Sequence, residues 1–99
     1  MKLLVIEDDQ EARDFIYFAF QVGWPEVKII STFSGKEGVE LIRKESPELV
    51  LLDLGLPDIT GFEVLKQTRV FSKVPIVVLT VMDDESNIVK ALDLAQMNL

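Results

Sequence analysis

Four short apolar runs are separated by longer segments in which apolar residues recur at helical spacing. The runs cover residues 2–6, 27–32, 49–52 and 76–79, and each is too short for a helix. Strands that alternate with helices are typical of a parallel sheet with right-handed helical crossovers. The sequence therefore predicts an α/β fold, a doubly wound parallel sheet with helices on both faces.

Capping and breaking residues bound the helical segments. The predicted helices cover residues 10–22 and 35–45, begin again near Thr60, and begin a fourth time after residues 83–85. Ser34 is the predicted N-cap of the second helix, and Glu37 completes a capping box. The residues predicted to face the sheet are Ala12, Phe15, Ile16, Ala19 and Val22 from the first helix and Ile88, Leu92 and Ala95 from the fourth.

An aspartate follows the most apolar run directly. Asp53 ends residues 49–52, and the glycines and proline that come after it predict a turn-rich loop. Its side chain either forms a functional site or caps the turn by accepting backbone N–H groups. The flavodoxin-like strand order 2-1-3-4 places the carboxyl ends of strands one and three side by side at the topological switch point. In that order Glu7 and Asp8, which follow strand one, lie beside Asp53.

Three neighbouring carboxylates need something that offsets their repulsion, on the order of 4 kcal/mol per close pair at an effective dielectric constant of about 20. A shared proton or a hard divalent cation does this, and Mg²⁺ suits one or two carboxylates completed by water and phosphate oxygens. Alternatively, residues 7–9 form only an acidic first helical turn. With Mg²⁺ bound, Asp53 becomes a candidate nucleophile for phosphoryl transfer, and the Thr80 hydroxyl a candidate phosphoryl ligand.

Composition excludes several other kinds of chemistry. The 99 residues include no histidine and no cysteine, so imidazole bases, thiolate metal sites and disulfides are excluded. A net charge of −7 without a basic cluster argues against direct nucleic acid binding. No apolar run reaches the roughly 18 residues of a membrane span, and no signal peptide precedes the first acids. One cytoplasmic domain over residues 1–99 is expected.

Three motifs together resemble the receiver domain of two-component response regulators, the CheY-like domains. They are residues 4–9 (LVIEDD) with Arg13 after them, residues 52–61 (LDLGLPDITG) and residues 76–80 (IVVLT). The likeness extends over essentially the whole chain. It implies a magnesium-dependent phosphoacceptor whose phosphoryl donor is a histidine of a sensor kinase.

The resemblance also implies a role for each site residue. Asp8 would ligate Mg²⁺ directly, and Glu7 would act on it largely through water. Asp53 would contact the metal and accept the phosphoryl group, and the Gly55 carbonyl would be a further metal ligand. Thr80 would move to bind the phosphoryl group. Asp9 would be peripheral.

Two features depart from the receiver pattern. Val81 stands after Thr80, where receivers have a small residue, and it would narrow access to the phosphoryl site. The chain ends at Leu99, before the family's fifth strand, with its lysine, and its fifth helix. A C-terminally truncated receiver, lacking both elements, is therefore expected. Apolar surface on the strand at residues 76–79 and around Phe18 would then lose its cover, which predicts a homo-oligomer.

Three functions are compatible with these residues. The leading one is a signalling module, not an enzyme, that is phosphorylated by a sensor histidine kinase and regulates an output domain or downstream protein. A phosphatase or phosphotransferase of the haloacid dehalogenase kind needs a second acid two residues after the nucleophile, where this chain has Gly55. A phosphorylation-independent receiver-like binding or dimerisation module is favoured by Val81 and by the missing lysine.

Overall fold

Strands and helices alternate along residues 1–79, the part of the chain that this computed structural model describes. The strands are β1 (Lys2–Ile6), β2 (Lys28–Thr32), β3 (Leu49–Leu52) and β4 (Ile76–Val78), and the helices are α1 (Gln10–Gly23), α2 (Gly35–Glu45) and α3 (Gly61–Arg69). The predicted bounds of these elements are confirmed to within one residue. None of the described helices is long and apolar enough to cross a membrane. Thr80, Val81 and the predicted fourth helix lie outside the described residues.

The described strands form one parallel sheet in the order β2-β1-β3-β4, which confirms the predicted topology. In the register of this sheet, Ile6 pairs with Thr32 on one side and with Leu52 on the other. The carboxyl ends of β2, β1 and β3 are therefore level. Residues that follow β1 and β3 must emerge next to each other at this edge.

Alternate strand residues supply a core on each face of the sheet, because successive side chains of a strand point in opposite directions. On one face, Leu4, Ile6, Val50 and Leu52 pack with the buried residues of α2 and α3. On the other face, Leu3, Val5 and Leu51 pack with α1. The crossover after β1 thus lies opposite the two later crossovers, as right-handed connections to the order β2-β1-β3-β4 require.

The face that α1 turns to the sheet differs from the prediction. Ile16 and Phe20 pack against the core, whereas Phe15 is 72% exposed and Val22 is 70% exposed. The prediction is confirmed for Ile16 and wrong for Phe15 and Val22, because α1 carries large apolar side chains on most of its circumference and helical spacing alone does not single out one stripe. The sheet contact selects the stripe that runs through Ile16 and Phe20, and the ring centroid of Trp24 lies 5.8 Å from that of Phe20.

Side chains at the helix starts accept hydrogen bonds from the first turns. Ser34 is the N-cap of α2 and Thr60 that of α3, and each accepts from the backbone N–H three residues later, at 3.2 Å in both cases. The predicted capping box is only half formed. The backbone N–H of Ser34 donates to Thr32 Oγ1 at 3.2 Å instead of to the Glu37 carboxylate, because Thr32 ends β2 within reach of it.

Thr68 in α3 carries a buried hydroxyl that costs stability. The residue is 0% exposed, and among the described residues its Oγ1 has no hydrogen-bond partner. A buried polar group left unpaired costs roughly 1–3 kcal/mol. We therefore expect Thr68→Val, which exchanges the hydroxyl for a methyl group of similar size, to raise the free energy of unfolding by about 1 kcal/mol.

Urea denaturation of the Thr68→Val variant and the wild type measures this change. Thr68→Ala, which leaves a cavity, is the control and should not stabilise; a destabilised valine variant would contradict the prediction.

Candidate functional site

The ends of β1 and β3 hold three carboxylates at the carboxyl edge of the sheet. Backbone hydrogen bonds between the strands continue for one residue past the ends of β1 and β3. The Glu7 N–H donates to the Thr32 carbonyl at 3.0 Å, and the Asp53 N–H donates to the Ile6 carbonyl at 2.9 Å. These bonds fix the backbones of Glu7 and Asp53 relative to each other. The sheet therefore places the two acids side by side, as the strand order predicted.

Glu7, Asp8 and Asp53 form what we call the acidic site. Each offers a carboxylate oxygen, and the three oxygens lie within 4.8 Å of one another. Mg²⁺ holds its ligands at about 2.1 Å, so opposite ligands lie about 4.2 Å apart, and small side-chain rotations close the remaining difference. Hard carboxylate oxygens are the donors that Mg²⁺ and Mn²⁺ prefer. The residues present thus fit a divalent cation.

The pKa of Glu7 reports the electrostatic cost of this cluster. Burial of the side chain, its hydrogen bond to Asp53 and the negative charge of Asp53 together raise the pKa of Glu7 to about 7, with a smaller contribution from Asp8. The backbone N–H of Asp9, 3.4 Å from Glu7 Oε1, opposes the shift. Below about pH 7, then, a proton on Glu7 offsets part of the repulsion between Glu7 and Asp53.

The loop after β3 orients Asp53. Its Oδ1 accepts from the backbone N–H of Gly55 at 3.2 Å, so the side chain does cap the turn as well as reach the acidic site. The Gly61 N–H donates to the Leu54 carbonyl at 2.9 Å. A Cβ at Gly61 would lie only 2.7 Å from the Asp53 carbonyl oxygen, so the start of α3 rests directly on the Asp53 backbone. Gly55 lies in this loop, and its role as a carbonyl ligand stays a prediction.

Asp9 has a different task from its two neighbours. It is the N-cap of α1, and its Oδ1 accepts from the Glu11 N–H at 3.0 Å. The alternative explanation of residues 7–9, an acidic helix start, therefore applies to Asp9 alone. Arg13, one turn along α1, donates from Nη1 to the Glu7 carbonyl at 2.6 Å and ties the helix to the end of β1.

Asp58 is a residue whose role the sequence did not predict. Its carboxylate accepts from Ser34 Oγ at 2.8 Å and from the backbone N–H groups of Gly35 and Lys36 at 2.8 and 2.9 Å. These bonds, that of Lys36 most of all, hold the pKa of Asp58 well below its usual range. The partners lie 22 to 24 residues away in the chain, so no local pattern signals the contact.

Comparison with known proteins places this geometry in a family. A sequence profile of the response regulator receiver domain matches residues 3–98. The transcriptional regulatory protein AfsQ1 of Streptomyces coelicolor is 34% identical over 91 residues, which make up 92% of this chain and 40% of AfsQ1. The chain thus spans about two fifths of the length of this curated relative.

Two solved structures share the fold. The phosphorylated cyanobacterial phytochrome response regulator RcpA is 29% identical with a TM-score of 0.82, and the match covers 94% of this chain and 74% of that one. The Mn²⁺-bound form of response regulator Rcp1 is 26% identical with a TM-score of 0.83, over 94% of this chain and 74% of that one. With the profile match over nearly its whole length and an acidic site at the switch point of the same fold, the chain belongs to the receiver domain family of two-component response regulators.

Proposed function

We propose that this chain is a phosphoacceptor signalling module, in which Asp53 receives a phosphoryl group from a histidine of a sensor kinase and thereby regulates an output domain or partner protein. The observation that carries the proposal is the acidic site, with three carboxylate oxygens within 4.8 Å at the carboxyl ends of β1 and β3. The phosphorylated state named for RcpA and the bound Mn²⁺ named for Rcp1 support the same chemistry in related folds.

Mg²⁺ is the proposed cofactor, with Glu7, Asp8, Asp53 and the Gly55 carbonyl as the residues that hold it. When bound, the cation would neutralise the carboxylates and the phosphoryl oxygens that approach them. An Asp53 carboxylate oxygen forms a bond to phosphorus while the bond from phosphorus to the donor's imidazole nitrogen breaks, and the electron pair leaves on that nitrogen. The Gly55 N–H holds Oδ1 of Asp53 and so fixes the plane of the attacking carboxylate. Thr80, outside the described residues, is the proposed ligand of a phosphoryl oxygen.

Acetyl phosphate, a small phosphoryl donor, tests the proposal without a partner kinase. Incubation of the chain with acetyl phosphate and Mg²⁺ should add the mass of one phosphoryl group, which base removes, and chelation of the metal should prevent the addition. A chain that binds Mg²⁺ but gains no phosphoryl group from acetyl phosphate would instead be a phosphorylation-independent binding module.

The setting of this reaction is also part of the proposal. The acidic chain, with its net charge of −7, acts in the cytoplasm through protein partners and makes no direct contact with nucleic acid. It transfers a phosphoryl group onto itself and turns over no separate substrate, so it is a signalling module and not an enzyme.

Exposed apolar residues on α1 support self-association as a further part of the proposal. Phe15, Phe18 and Val22 are each at least two thirds exposed on α1. Val77 pairs with Leu51 in the sheet, so it points to the same face of the sheet as α1, and it is 48% exposed. Exposed apolar side chains gathered on one face in this way are typical of an interaction surface.

We expect Phe15→Ser to weaken self-association by roughly 10- to 100-fold, because burying a phenylalanine side chain contributes about 1.5–3 kcal/mol. Size-exclusion chromatography coupled to light scattering, across micromolar concentrations, measures the change. Phe33→Ser is the matched control, since Phe33 is 62% exposed but follows β2 and is not part of the apolar stripe of α1. A wild-type chain that is monomeric at every concentration would refute this part of the proposal.

A further inference from the structure

We propose that Asp58 is a positioning residue for the acidic site, because its carboxylate fastens the loop that carries Gly55 to the first turn of α2. The inference rests on the proposed function, since it concerns how the same site is held. Three donors converge on this carboxylate: the Ser34 hydroxyl at 2.8 Å, the Gly35 N–H at 2.8 Å and the Lys36 N–H at 2.9 Å. Two of them are backbone groups at the positive end of the α2 dipole, where a carboxylate is favoured.

The residues on both sides of Asp58 pack against the same helix start. A Cβ at Gly35 would lie 2.7 Å from Ile59 Cγ1 and 3.1 Å from Leu56 Cδ1, so the loop sits directly on the backbone of α2. Only a residue without a side chain leaves space for this approach. The carboxylate of Asp58 and the close packing at Gly35 thus form one attachment between the loop and the helix.

The helix to which the loop is attached is itself fixed to the strand that ends in the acidic site. A Cβ at Gly38 would lie 2.5 Å from Ile6 Cδ1, so α2 lies close against β1. Ile6 precedes Glu7, and its carbonyl accepts the Asp53 N–H at 2.9 Å. Both parts of the site are therefore held by α2. Glu7 is held through its neighbour Ile6, and the loop after Asp53 is held through Asp58.

Without Asp58, the middle of the loop would keep its packing but lose its polar attachment. The two ends stay held, by the Gly55 N–H on Asp53 and by the Gly61 N–H on the Leu54 carbonyl. The Gly55 carbonyl, the proposed metal ligand, belongs to the peptide group that leads from the held Gly55 N–H into the middle of the loop. Residues that orient metal ligands from outside the site typically change metal affinity by 10- to 100-fold when they are replaced. Asp58 is exposed, so its replacement opens no cavity in the core.

The test compares Mg²⁺ affinity, by isothermal titration calorimetry, and the rate of phosphorylation by acetyl phosphate in the full chain. We expect Asp58→Ala to lower both by about tenfold, and Asp58→Asn, which keeps one acceptor oxygen, to lower them by about threefold. Faster hydrogen exchange of the Gly35 and Lys36 amides would verify that the attachment has been broken in each variant.

Glu37→Gln is the control that separates positioning from charge, because it removes one negative charge from the first turn of α2 and leaves the three donors to Asp58 in place. It should change affinity and rate by less than about twofold, within the range of surface effects. Ser34→Ala removes the N-cap and one of those three donors, so it should lower affinity and rate, but by less than Asp58→Ala does. Equal losses in the Glu37→Gln variant, or unchanged affinity and rate in Asp58→Ala, would overturn the inference. If the wild-type chain neither bound Mg²⁺ nor accepted a phosphoryl group, the proposed function itself would fail, and the inference with it.

Discussion

Replacing Asp53 with asparagine is expected to abolish phosphorylation of this chain by acetyl phosphate and Mg²⁺, with labelling reduced by more than about a hundredfold. Asparagine preserves the shape of the side chain, and its amide oxygen can still accept the Gly55 N–H that now binds Oδ1 at 3.2 Å. It lacks the negatively charged oxygen that attacks phosphorus. Intact-mass spectrometry after a fixed incubation gives the fraction of phosphorylated chain directly.

Asp9→Asn is the matched control for this variant. It removes one negative charge from the same acidic run, and asparagine replaces aspartate well as the N-cap of α1. We expect its labelling to stay close to that of the wild type. Undiminished labelling of Asp53→Asn would place the phosphoacceptor elsewhere, and equal losses in both variants would show that charge, not the nucleophile, is being measured.

The second large effect concerns pH and the stability of the cation-free chain. The pKa of Glu7 is about 7 in the folded chain against 4.5 for an ordinary glutamate, because of burial, the hydrogen bond to Asp53 and the charge of Asp53. The folded state therefore holds this proton more tightly than the unfolded state. The stabilisation is fully present below about pH 4.5 and is lost as the pH rises through 7. We expect the free energy of unfolding to fall by on the order of 2 kcal/mol across this range.

Glu7→Gln isolates the contribution of this one carboxyl group. The glutamine amide can donate to Asp53 as the protonated carboxyl does, so the variant should keep its stability as the pH rises from 5 to 8. Over that range Asp58, whose pKa lies below its usual range, remains charged and adds no slope. Urea denaturation of the wild type and the variant at several pH values gives the difference. Parallel curves would contradict the assignment of a raised pKa to Glu7.

Mg²⁺ should reverse the loss in the wild type. A ligand that binds only the folded chain stabilises it by RT ln(1 + [L]/Kd), and deprotonated Glu7 is the form that binds a cation. The stabilisation by Mg²⁺ is therefore expected to be larger at pH 8 than at pH 6, and smaller in Glu7→Gln at both values. Under the proposed function, the acidic site thus gives up stability in the cation-free state and would regain it when the cation binds.

The sequence by itself determined the parts of this protein that depend on local spacing and chain order. The bounds of β1 and β3, the N-cap Ser34 and the start of α3 near Thr60 follow from apolar periodicity and capping residues, and the strand order β2-β1-β3-β4 is the flavodoxin-like order expected for such an alternation. The meeting of the three acids follows in turn, because parallel strands in that order bring their carboxyl ends to one edge. These inferences use either residues close together in the chain or one of the common strand orders of doubly wound sheets.

Only the tertiary structure decided which surfaces and side chains meet across the chain. Ile16 packs on the sheet as predicted, but the packing of Phe20 beside it, instead of Phe15 and Val22, depends on how α1 rotates over the sheet, because the spacing of its apolar residues fits either face. The attachment of Asp58 to α2 joins groups 22 to 24 residues apart, which no local pattern encodes. The raised pKa of Glu7 likewise depends on burial and on the distance to Asp53, two quantities that exist only once the strands have packed.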